Sequence, residues 1–135
     1  MSQPEFKARI TLEATVSPSE DPWKVAQAVA NVVAGDSDQV RVDSHRVRLA
    51  TEDPKALVML RDQFRDRHIR SAAKRQLLLK SDGRRTSLML NRQAAAAGVI
   101  AICGSPQESP LGPIYLTVES SRAETAIDWL TAYSG

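Results

Sequence analysis

The sequence is short of the residues from which most active sites are built. It has one cysteine, Cys103, and two histidines, His45 and His68, among 135 residues. A lone cysteine forms no intrachain disulfide and fits a reducing compartment. Neither histidine stands at metal-ligand spacing from Cys, Asp or Glu, so no metal or other cofactor is expected. Glycine is sparse at six residues, and none falls in a phosphate-cradling loop with its lysine; a nucleophile elbow is also missing. Cys103 lies in an apolar run and reads as a small core residue rather than a nucleophile. The chain therefore reads as a non-enzyme with no catalytic residues. Aromatic residues make up only 4%, which argues against a base-stacking platform. No apolar run approaches the ~20 residues that span a bilayer, and Met1-Ser2-Gln3-Pro4-Glu5 has neither the basic start nor the apolar core of a signal peptide. A cytoplasmic protein without membrane contact is expected.

What the sequence does have is unevenly placed charge. The formal net charge is only +2. Residues 61–92 nevertheless carry ten Lys/Arg against three acids, a local net of +7, while the remainder carries −5. Such asymmetry points toward a polyanionic partner.

The apolar pattern predicts one α+β domain over 1–135, with a mostly antiparallel sheet and helices packed on one face. Phe6, Ala8, Ile10, Leu12, Ala14 and Val16 alternate with polar residues, the period of a half-buried strand. Asp21 and Pro22 open a helix that Gly35 stops in left-handed geometry. Two short strands follow at 39–43 and 46–50, and the shift in inward phase between them suggests a tight hairpin, though a bulge would also explain it. "TEDP" at 51–54 echoes "SEDP" at 19–22, again as a capped helix start, with Asp53 the cap. One long helix is expected from 54 to 79, then a strand at 84–90. A two-turn helix capped by Asn91 and ended by Gly98 comes next. Residues 99–103 are apolar throughout, which suits a central strand. The proline-rich 104–113 reads as a rigid loop. A strand over 114–119 and a helix over 123–132 complete the order.

On the long helix, Leu57, Leu60, Phe64 and Ala72 fall on one inward arc, with His68 packed on the same side. Arg67, Arg70 and Lys74 form an outward row, while Arg61, Arg65 and Arg75 sit nearer the arc, stems packed and heads reaching out. Lys80, Arg84 and Arg85 extend the positive charge around the next turn. Asn91 and Gln93 read as backbone-satisfying residues, and Arg92 stays open between structure and phosphate binding. The candidate phosphate contacts are Arg61, Arg65, Arg67, Arg70, Lys74, Lys80, Arg84, Arg85 and Arg92.

Taken together and in order, "SEDPWKV", "RDRHIRSAAKRQLL", "LNRQAA", "SPLGPI" and "IDWL" resemble an uncharacterised archaeal family labelled as predicted RNA-binding proteins and suggested as exosome accessories. The resemblance covers residues 13–130. It implies a compact domain similar to double-stranded-RNA-binding or ribosomal-protein folds, and Arg61, Arg67, Arg70, Asn91, Arg92 and Gln93 match the family's polar pattern. The chain departs from that pattern at His68, where glutamine is usual, at Arg92, where lysine is usual, and at Thr131, where proline is usual. The expected function is non-catalytic binding of structured or double-stranded RNA with low sequence specificity, linked to RNA-processing proteins. The alternative is an assembly subunit whose basic helix docks an acidic partner or whose sheet edge forms a homodimer.

Overall fold

The alternating segment forms β1 (Ala8–Thr15), with Ala8, Ile10, Leu12 and Ala14 buried and Arg9 and Thr15 exposed. The computed structural model describes residues 4–35, 37–66 and 69–132. Asp21 caps α1 (Pro22–Val32) by accepting from Trp23 N–H at 3.0 Å. The helix closes in a Schellman arrangement, with Gly35 N–H donating to Ala30 C=O at 2.9 Å and Ala34 N–H to Asn31 C=O. Ala34, at φ 53°, takes the left-handed position expected of Gly35. Gly35 itself is not left-handed, and the atom nearest its Cβ position is the movable end of the exposed Gln39 side chain.

After α1 come β2 (Arg41–Val42) and β3 (Arg46–Thr51), paired antiparallel. Asp43 makes the turn between them by accepting from the backbone N–H groups of His45 and Arg46, both at 2.8 Å. The second Glu-Asp-Pro start also holds: Asp53 caps α2 (Pro54–Asp66) through Lys55 N–H.

The expected single helix over 54–79 is two helices, α2 and α3 (Arg70–Lys80). Ile69 leaves helical geometry at φ −102°, ψ 6°, and its N–H reaches back to Phe64 C=O. The cause lies in the phase of the apolar residues. α2 buries Leu57, Leu60 and Phe64, whereas α3 buries Ala73 and Leu77 and leaves Ala72 exposed. Nine steps of about 100° separate Phe64 from Ala73, so a continuous helix would present them on opposite sides. Breaking the helix lets both segments face one core.

β4 (Arg85–Leu90), α4 (Arg92–Ala96), β5 (Ile114–Ser120) and α5 (Ala123–Leu130) complete the chain. The sheet is antiparallel, ordered β2-β3-β1-β5-β4. The helices cover one face, where Leu12, Leu88, Leu116, Phe64 and Ile127 meet in a single core. The other face carries Arg9, Thr11, Glu13, Arg48, Tyr115 and Thr117 toward solvent.

Residues 99–103 do not form the expected central strand. They lie outside β4 at the edge of the sheet, joined by one bridge, Leu90 to Ile102. Cys103 N–H donates to Met89 C=O at 2.9 Å, but the reciprocal bond is not made. Instead the Gln76 carboxamide stands between them. Its Oε1 accepts from Met89 N–H at 2.7 Å and its Nε2 donates to Cys103 C=O at 2.8 Å. A side chain from α3 thus substitutes for a ladder rung, which both splays the segment and blunts an exposed edge.

Candidate nucleic-acid interface

α3 packs against β4 through Ala73, Leu77 and a hydrogen bond from Thr86 Oγ1 to Leu77 C=O. Asp82 shapes the connection between them. Its N–H donates to Arg85 C=O, and its carboxylate accepts from Arg84 N–H at 3.0 Å and Arg85 N–H at 2.8 Å. These backbone bonds hold the Asp82 carboxyl below its ordinary pKa. The same device, Asp at the first position and Arg at the fourth, makes the Asp43 turn. Gly83, at φ 99°, supplies the left-handed step, and its carbonyl accepts from Ala123 N–H, which brings the start of α5 against the turn.

This hairpin presents Lys74, Lys80, Arg84 and Arg85 to solvent, as the sequence suggested, and adds Arg75. None of these five forms an ion pair with an acid among the described residues. Arg70 is half-buried and engaged. Arg75 was misplaced by the one-helix expectation; the phase set by Ala73 and Leu77 turns it outward. The sheet brings in further cations that sequence distance hides. Arg9 on β1 and Arg85 on β4 flank Glu119 of β5 in one cross-strand row on the open face. Arg122, at the α5 cap, adjoins Gly83 in a shared surface pocket.

Three of the predicted contacts are withdrawn from this surface. Arg92 is 4% exposed. Its Nη1 donates to both Glu20 carboxylate oxygens at 2.8 and 2.9 Å, and its Nε to Gly112 C=O at 3.0 Å. Arg61, 7% exposed, lies with its guanidinium 4.6 Å over the Trp129 ring, which Phe6 meets edge-on. Packing covers its head as well as its stem. In Arg65, Nε and Nη2 are enclosed without a hydrogen-bond partner. Arg67 and His68 lie outside the described residues.

The Arg92 site explains why the "SEDP", "LNRQ" and "SPLGP" stretches occur together. Ser109 Oγ accepts from Arg92 N–H and donates to Gly112 C=O. Gln93 Nε2 donates to Pro110 C=O, and Asn91 caps α4 by accepting from Ala94 N–H. Gly112 N–H closes a turn on Ser109 C=O, with Leu111 at φ 67° and Gly112 at φ 98°. Asn91 and Gln93 thus take the backbone-satisfying roles expected of them, while the three stretches form a latch around one buried ion pair that the sequence did not reveal.

Cys103 is buried, and that burial, followed by the nearby Glu108 charge, pushes its thiol pKa upward. A protonated core thiol is a poor nucleophile. His45 sits exposed in the β2–β3 turn. Among the described residues, no cluster of His, Cys, Asp or Glu is arranged to hold a metal, and no helix is long and apolar enough to cross a membrane.

No protein-family model matches the chain. Over 127 residues it is 36% identical to a UPF0201 protein of Sulfolobus acidocaldarius, covering 91% of this chain and 86% of that one. It is 37% identical over 123 residues to a UPF0201 protein of Metallosphaera sedula, covering 90% and 86%. Among solved structures, a UPF0201 protein from Methanococcus jannaschii superposes with a TM-score of 0.75 at 20% identity, over 94% of this chain and 95% of the other. A DUF54 protein from Methanothermobacter thermautotrophicus gives 0.69 at 19% identity, over 93% and 96%.

Proposed function

The chain belongs to the UPF0201 family of uncharacterised archaeal proteins, and from its surface chemistry we propose that it is an RNA-binding protein that acts by binding rather than catalysis. One observation carries this reading: Lys74, Arg75, Lys80, Arg84 and Arg85 are exposed on two consecutive elements without ion pairs among the described residues. Unpaired cations on a rigid hairpin favour a polyanion whose charges recur at short intervals, as backbone phosphates do. Arginine's planar fork suits phosphate oxygens. Structured RNA offers phosphates and 2′-hydroxyls without base-edge readout, consistent with low sequence specificity.

The test is a fluorescence-anisotropy titration of an RNA hairpin between 50 and 200 mM salt. Four to six phosphate contacts give a log–log slope of roughly −3 to −5, at micromolar or weaker affinity. The Lys80→Glu/Arg84→Glu/Arg85→Glu variant should lose binding, whereas Lys55→Glu at the exposed start of α2 should not. A flat salt dependence defeats the proposal. The rival reading, an acidic protein docked on α3, draws on the exposed Leu78 and Leu79. It predicts that the charge-reversed hairpin leaves RNA affinity unchanged.

A further inference from the structure

Beside the Gln76 rung, α3 and the edge of the sheet leave an open groove of about 490 Å³, within the range of small-molecule sites. Ala72 and Leu79 line it from the helix, and Met89 and Ile102 from the sheet edge. Arg75 and Lys80 supply its charge, and no carboxylate lines it. Glu108 lies beside Gly104, outside the lining. Leu79 is 78% exposed, so a large apolar side chain stands in water between two cations.

We infer that this groove holds one unpaired nucleotide of the bound RNA, its base against the apolar walls and its phosphate between Arg75 and Lys80. The inference rests on the RNA-binding reading and adds the kind of RNA preferred. An apolar floor with Arg75 and Lys80 on its rim fits a flat, weakly polar body bearing an anion. Met89 adds a polarisable thioether, which interacts favourably with aromatic rings. The groove also continues the phosphate-binding surface, since Lys80 ends α3 and leads directly into the turn that bears Arg84 and Arg85. The base must be unpaired, because a paired base is not available for such a pocket.

The experiment compares two RNA hairpins with the same stem, one blunt and one with a short single-stranded extension containing 2-aminopurine. Wild type should bind the extended hairpin about tenfold more tightly, with a saturable change in 2-aminopurine emission. Ala72→Trp places an indole in the groove from an exposed position and should abolish the preference and the emission change. Blunt-hairpin affinity and salt slope should stay as in wild type. Leu79→Ser, also at an exposed site, should reduce the preference in the same direction; circular dichroism checks each fold. Equal binding of the two hairpins by wild type, or a preference that survives Ala72→Trp, overturns the nucleotide site while RNA binding stands. If neither hairpin binds at low salt, both readings fall.

Discussion

Removing the charge from Glu20 separates two roles for Arg92, structural latch or phosphate contact. The pair is enclosed: the Arg92 side chain is 5% exposed and that of Glu20 12%. Glu20→Gln leaves the guanidinium buried with Gly112 C=O as its chief partner. Breaking one side of a buried pair costs about 3–5 kcal/mol. The small opening at Glu20 puts this one near 3 kcal/mol, or roughly a 10 °C fall in melting temperature for a domain of this size. Arg92→Met should cost a similar amount. The double variant Glu20→Leu/Arg92→Met should recover much of the loss, because it leaves no uncompensated charge. Thermal melts of wild type, Glu20→Leu, Arg92→Met and the double variant close the cycle and yield the coupling energy. Anisotropy at low temperature, where each is folded, should show unchanged RNA affinity. An Arg92→Met protein with wild-type stability and lost RNA binding would refute the latch and restore Arg92 to the binding surface.

Gln76→Ala strips partners from Met89 N–H and Cys103 C=O and should destabilise by about 2–4 kcal/mol, with faster hydrogen exchange at the Met89 amide as the local signature. A stable variant with an equally protected amide would mean that the backbone bond re-forms without the rung. Asp82 has a lowered folded pKa because Arg84 and Arg85 N–H groups bond its charged form. It therefore contributes stability above its unfolded value, and this is lost as pH falls through the lower folded one. Asp82→Asn should lose less stability than wild type on acidification below about pH 4. At neutral pH it should bind RNA more tightly, since one acid leaves the company of Lys80, Arg84 and Arg85.

The local sequence determined a good part of the fold. Alternation placed β1, β3, β4 and β5, and Asp21 and Asp53 announced α1 and α2, because both signals act within a few residues. It also marked the exposed cations around Asp82, where the charge density is local. What required the tertiary structure was the choice among equally good local readings. The pattern over 54–79 is helical throughout, and only a shared core for Phe64 and Leu77 demands the break at Ile69, which turns Arg75 outward. Residues 99–103 look like a buried strand, yet Gln76, remote in sequence, occupies the rung they would need. Arg61 and Arg92 are indistinguishable in sequence from their solvent-facing neighbours. Trp129 and Glu20 take them inside, since a guanidinium's fate depends on the partner the fold brings to it. The same long-range pairing sets Arg9 across Glu119 from Arg85, joining β1 to the basic hairpin.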